Sequence, residues 1–157
     1  GISKAIKSFE NAPHRLQRVD TINGVQFYND SKATNVDAVW YALESFDVPL
    51  VLILGGVDKG NDYSQIDALV KEKVKAIVAL GTDNLKIETH FKAYHQDVSS
   101  VDSVFTAVEI SYAKAKAGDV VLLSPACASF DLFKNYEDRG LRFTEAVRAL
   151  KNKLEGN

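Results

Sequence analysis

Three short stretches of this chain gather most of the side chains able to do chemistry on an anion. They are Asn29-Asp30-Ser31-Lys32-Ala33-Thr34-Asn35, Gly55-Gly56-Val57-Asp58-Lys59-Gly60 and Ser124-Pro125-Ala126-Cys127-Ala128-Ser129. Lys32 and Lys59 are compact positive charges suited to phosphate or carboxylate. Thr34, Ser124 and Ser129 offer hydroxyls close to expected helix starts, where free backbone N–H groups and the helix dipole also favour anions. Asp30 could accept a hydrogen bond from a ribose or help to position a metal. His14-Arg15 follows Asn11-Ala12-Pro13, a candidate hinge, from which Arg15 could swing towards a phosphate. Each charged contact of this kind contributes about 1.5–3 kcal/mol.

Taken singly, these residues are better explained as turns and caps, which use the same residue types. Three clusters together reverse that preference. Cys127 has no neighbouring His or Asp to activate it and is expected to be a small buried residue. His14, His90 and His95 lack paired metal-ligand spacing, so no metal is assigned to the chain. Lys71, Glu72, Lys73 and Lys75 read as a solvated helix end, and Trp40, Phe105 and Phe143 as core. No Gly-x-x-x-x-Gly-Lys-Ser/Thr loop occurs, so the chain has no recognisable device of its own for the β- and γ-phosphates of a nucleotide.

The elements between the clusters explain why they should meet. Leu16 to Ile22 and Val25 to Asn29 read as strands joined by Asn23-Gly24, a strong hairpin signal. Val36, Val39, Trp40, Leu43 and Phe46 have helical spacing, with Asn35 as the cap. Leu50 to Leu54 is a continuous apolar run, as in a strand buried on both faces of a parallel sheet. Further helices are expected over 64–73, 83–94, 101–116 and 131–154, the last broken near Gly140. Strands are expected over 76–80, 96–98 and 120–123. Such alternation predicts an α/β fold: a doubly wound, mainly parallel, Rossmann-like sheet with helices on both faces and an N-terminal β-hairpin. In a parallel sheet the carboxyl ends of the strands share one edge, where ligands bind, and all three clusters follow strands. Residues 1–12, with Ile2, Ala5, Ile6 and Phe9 on one helical face, read as the remnant of a preceding domain and its hinge. Residues 13–157 read as the domain itself.

Hydrophobic residues make up 46% of the 157 and charged residues 25%, as in one ordinary globular domain. A net charge of −2 argues against nucleic acid as a partner. The apolar run from Val48 to Leu54 is too short to span a membrane, and no secretory leader is visible. A single cysteine fits the cytoplasm.

The clusters, extended by Tyr28 at one end and by Phe130-Asp131 and Phe133-Lys134-Asn135-Tyr136-Glu137-Asp138-Arg139-Gly140 at the other, resemble the C-terminal domain of the D-glutamate-adding branch of the Mur ligase family. The likeness runs from about Pro13-His14-Arg15 to the end of the chain. Sibling branches carry an Asp-Tyr-Ala-His type motif where this chain has Asn-Asp-Ser-Lys-Ala-Thr-Asn, and the Asp-Asn-Pro-Arg motif of the diaminopimelate-adding branch is missing. The resemblance implies an ATP-dependent ligase of cytoplasmic peptidoglycan synthesis, serving cell-wall formation, shape and division. ATP and Mg2+ would act in the complete enzyme, on UDP-N-acetylmuramoyl-L-alanine and D-glutamate. The UDP-binding and ATPase domains would lie outside this chain, leaving it inactive alone. The whole would act as a monomer.

Carried over residue by residue, the resemblance puts D-glutamate against Thr34, Lys59, Ser129, Phe130 and Tyr136. It puts ATP against Arg15, Asp30 and Lys32: Arg15 and Lys32 near phosphate, Asp30 near ribose. Tyr136 stands where some relatives have Phe, which makes its expected role packing. Two alternatives remain open from sequence: a folylpolyglutamate-synthase-like ligase, whose motifs fit less well, and a stand-alone α/β binding module without catalysis.

Overall fold

The computed structural model describes residues 13–156. The expected helix within residues 1–12 lies outside them. Strands β1 (Gln17–Ile22) and β2 (Val25–Asn29) form the hairpin, with Asn23 and Gly24 both at positive φ as that turn requires. Helix α1 (Val36–Glu44) then leads to β3 (Leu50–Leu54). A 3-10 turn (Tyr63–Ile66) runs into α2 (Asp67–Lys73), followed by β4 (Val74–Leu80), α3 (Leu85–Lys92), β5 (Val98–Val101), α4 (Val104–Lys114), β6 (Val120–Leu123) and α5 (Tyr136–Leu154).

The six strands are ordered β1-β2-β6-β3-β4-β5. Only the β1–β2 pair is antiparallel; the other four pairs are parallel. All of β3 is buried, and its alternate residues face opposite layers. Leu50, Leu52 and Leu54 pack with residues of α1, α2 and α3, including Val39, Val70 and Phe91. Val51 and Ile53 pack with Val104, Val108, Phe143 and Val147 of α4 and α5. A strand sandwiched in this way needs apolar side chains at every position, which is why its sequence shows a run rather than alternation. The doubly wound, mainly parallel architecture is the expected one.

Several local expectations need correction. Trp40 and Phe105 are 39% and 47% exposed, although Phe143 is fully buried. Helical spacing identifies an apolar stripe but does not tell its centre from its margin. Lys73 does not end in solvent: its Nζ donates to the carbonyls of Leu43 (3.0 Å) and Phe46 (2.5 Å), satisfying the exit of α1. Lys75 pairs with the buried Asp119 at 2.7 Å. The last helix begins at Tyr136 rather than 131 and passes Gly140 without a break. The weak strand falls on Val98–Val101, later than 96–98.

Candidate functional site

The three chemistry-bearing clusters follow β2, β3 and β6, and these strands are neighbours in the order β2-β6-β3. Their carboxyl ends therefore open onto one stretch of sheet edge. Main-chain bonds lace the loops together there. Ala126 N–H donates to the carbonyl of Ala33 (2.9 Å), joining the loops after β6 and β2. Val57 and Ala128 form a two-way antiparallel bridge of 2.8 and 3.0 Å, joining the loops after β3 and β6. Asn61 completes the lacing: its Nδ2 donates to the Ala126 carbonyl (2.7 Å) while its Oδ1 accepts from Val36 N–H at the start of α1 (3.1 Å). Asn35 caps α1 as expected, accepting from Ala38 N–H at 3.0 Å.

Arg15, Asp30 and Lys32 come together around one cleft of about 310 Å³, whose walls also include Leu16, Ala33, Tyr41 and Ala42. Arg15 and Lys32 are exposed, whereas Asp30 is buried. The Asp30 carboxylate accepts from Leu16 N–H (3.1 Å) and from the Ser124 hydroxyl (2.7 Å). Ser124 is thus turned inward to Asp30 and is itself fully buried. Burial pushes the Asp30 carboxyl up to about 7, outweighing those two hydrogen bonds and the charge of Arg15, which favour ionisation.

Because that value lies above the 3.8 of a free aspartate, the folded chain holds a proton that the unfolded chain releases first. The stability this contributes is complete below about pH 4 and is lost as pH rises through about 7. The thermal unfolding temperature of the wild type should therefore fall by several degrees between pH 4 and 8 relative to Asp30→Asn, whose neutral amide does not titrate over that range. A wild type that gains on the variant over that range would contradict the assignment.

Thr34, Lys59 and Ser129 lie on the three loops that follow β2, β3 and β6, Phe130 follows Ser129, and Tyr136 opens α5. Thr34 and Lys59 are exposed, Ser129 is buried and Phe130 is 65% exposed. Tyr136 is half-buried at the start of α5, its ring edge-on to His14 at 6.2 Å between centroids. Lys59 lies two residues beyond Val57 and Ser129 one beyond Ala128, so the bridge carries both. Cys127 is buried as expected, beside the Tyr63 hydroxyl at 3.3 Å, and burial pushes its thiol up.

Sequence reasoning gave Arg139 no role beyond membership of a motif. It is 1% exposed and among the described residues makes no salt bridge. Its Nε donates to the Ser31 hydroxyl (2.9 Å), Nη2 to the Ser31 carbonyl (2.7 Å) and Nη1 to the Cys127 carbonyl (2.9 Å). Gly140, next in the chain, is fixed by contact: a Cβ there would fall 2.2 Å from Nδ1 of His14. The only signal available in sequence was an arginine beside a glycine inside an otherwise helical run.

A mainly parallel α/β sheet with anion-suited loops at its carboxyl edge has the arrangement in which open α/β sheets bind ligands. The family model described as "Mur ligase, glutamate ligase domain" matches residues 14–127, and the chain belongs to that family. It is 63% identical over 143 residues to the UDP-N-acetylmuramoylalanine--D-glutamate ligase of Cytophaga hutchinsonii, covering 91% of this chain and 32% of that protein. With the enzyme of the same name from Porphyromonas gingivalis it shares 51% identity over 146 residues, 93% of this chain and 32% of that one. The chain spans about a third of the length of these curated relatives. Among solved structures, MurF ligase from Thermotoga maritima in complex with ADP superposes with a TM-score of 0.60 at 14% identity, over 94% of this chain and 33% of that one. E. coli FolC in complex with DHPP and ADP gives 0.59 at 17%, over 91% and 32%. At such identities the likeness concerns the fold.

Proposed function

We propose that this chain is the C-terminal domain of a cytoplasmic, ATP-dependent ligase that adds D-glutamate to UDP-N-acetylmuramoyl-L-alanine in peptidoglycan synthesis. The observation that carries this reading is the lacing of three anion-suited loops at the ends of three adjacent strands, in a chain so similar to ligases of that name. Lys59 and the hydroxyls of Thr34 and Ser129 take the carboxylates of D-glutamate, while Phe130 and Tyr136 pack beside it. Arg15 and Lys32 face the phosphates of ATP and Asp30 its ribose. Phosphoryl transfer to the alanyl carboxylate gives an acyl phosphate. The amino group of D-glutamate attacks that carbonyl, the C–O bond to phosphate breaks, and an amide is left.

This domain's share is binding, orientation and exclusion of water from a hydrolysable intermediate. The sequence has no phosphate loop, and among the described residues no group of three or more His, Cys, Asp or Glu could hold a metal. In this reading Mg2+ and the main grip on the β- and γ-phosphates belong to the ligase's other domains, with Arg15 and Lys32 adding phosphate contacts from this one. Among the described residues no helix is long and apolar enough to cross a membrane.

The test is ADP release with ATP and UDP-N-acetylmuramoyl-L-alanine present. The complete ligase should turn over only when D-glutamate is added, and the 157-residue chain alone should not turn over at all. Turnover by the chain alone, or a complete enzyme that prefers another amino acid or a folate acceptor, would sink the reading.

A further inference from the structure

The geometry points to Arg139 as a positioning residue that sets the nucleotide loop and the amino-acid loop in one register, so that ATP and D-glutamate depend on it together. This inference rests on the proposed ligase reading. Three hydrogen bonds leave a single planar guanidinium. Two go to Ser31, which sits between Asp30 and Lys32 on the nucleotide side. The third goes to the carbonyl of Cys127, two residues before Ser129 on the amino-acid side. The Ser31 hydroxyl in turn donates to the carbonyl of Tyr136 at 2.6 Å, closing the circuit through the first residue of α5. From Cys127 the neighbouring main-chain bonds reach the other two candidates: Ala126 to Ala33, which precedes Thr34, and Ala128 to Val57, two residues before Lys59.

Stability alone does not account for this arrangement. A guanidinium removed from water, with hydrogen bonds only to carbonyl and hydroxyl oxygens, carries a desolvation cost that those acceptors and the charge of Asp131 offset only in part, and an apolar side chain of similar volume would avoid it. What an apolar side chain could not supply is a rigid fork of donors holding two loops at a set distance. Lysine keeps the charge but offers a point donor on a flexible stem. Arg139→Lys therefore separates the fork from the charge.

The experiment uses the complete ligase. Arg139→Lys should raise the KM for ATP and the KM for D-glutamate together, each about 5- to 10-fold, the size expected for losing one or two such bonds. The KM for the UDP-sugar substrate should stay near its wild-type value. Ser31→Ala removes the Nε acceptor and the tie to Tyr136 but keeps both carbonyl bonds, and should raise the same two constants about 2- to 3-fold, as for one neutral contact. It carries the test if the lysine variant fails to fold. An Arg139 acting only as a structural brace would lower the melting temperature and the active fraction, and so kcat, while leaving both KM values of the surviving enzyme unchanged. That result, or a rise in one KM without the other, overturns the inference. A complete protein without D-glutamate-dependent ADP release is a different failure and sinks the ligase reading itself.

Discussion

Replacing Lys59 by alanine in the complete ligase is expected to raise the KM for D-glutamate about 10- to 100-fold, the loss anticipated for one charge-assisted contact to a carboxylate. The KM for ATP should change little and the melting temperature hardly at all. The side chain is exposed, and among the described residues it makes no salt bridge, so its removal leaves no buried partner orphaned. The acid preceding it in the chain, Asp58, is already committed to shaping the loop. Its Oδ1 accepts from Gly60 N–H (2.7 Å), Asn61 N–H (2.9 Å) and the Lys86 ammonium (3.2 Å), and its Oδ2 from the Tyr63 hydroxyl (2.7 Å). Partial burial pushes the Asp58 carboxyl up, but those donors outweigh it and hold the group below its ordinary value. Asp58 is thus an ionised bracket of its own loop, paired with Lys86 rather than with Lys59. Steady-state kinetics with D-glutamate as the varied substrate make the check; an unmoved KM would remove Lys59 from the site.

The sequence carried the architecture because each element's pattern was local. A run such as Leu50 to Leu54 requires burial on both faces, and Asn23-Gly24 requires a hairpin, whatever else the chain does. It also showed that the clusters follow strands. It could not show that β6, the last strand in the chain, inserts between β2 and β3, because strand order is set by long-range packing that leaves no mark on spacing. Adjacency of the three loops was therefore an expectation from the edge of the sheet rather than from neighbouring strands.

Exposed chemistry was legible in the sequence and internal chemistry was hidden. Lys32, Lys59 and Arg15 announce themselves as cations in loops. Asp30 and Ser124 look like ligand groups too, yet they spend a hydrogen bond on each other. Arg139 looks like a solvated helix residue between Asp138 and Gly140 and is buried instead. Nothing in its neighbours' hydropathy distinguishes a buried cation with carbonyl partners from a surface one. Trp40 shows the converse error, a large aromatic residue on the right helical stripe that ends at its open margin.

Gly56→Ala is expected to be a severely damaging single-methyl change at the site, costing about 2–4 kcal/mol of stability through backbone strain and overpacking combined. Gly56 has φ +135°, a conformation that L side chains rarely adopt, and a Cβ there would fall 2.3 Å from the carbonyl oxygen of Ala128. That oxygen belongs to the main chain and cannot rotate aside. It is also the acceptor of Val57 N–H in the bridge between the two loops. Relief of the clash must therefore lengthen the bridge and draw Lys59 away from Ser129, so the stability loss should come with a raised KM for D-glutamate. Gly60→Ala supplies the comparison. It has φ +98° and nothing within 4 Å of its Cβ, so it incurs strain alone, about 1–2 kcal/mol. Thermal unfolding and D-glutamate kinetics on both variants separate the two contributions. If Gly56→Ala is no worse than Gly60→Ala in either measurement, the Val57–Ala128 bridge is not what holds the amino-acid side of the site together.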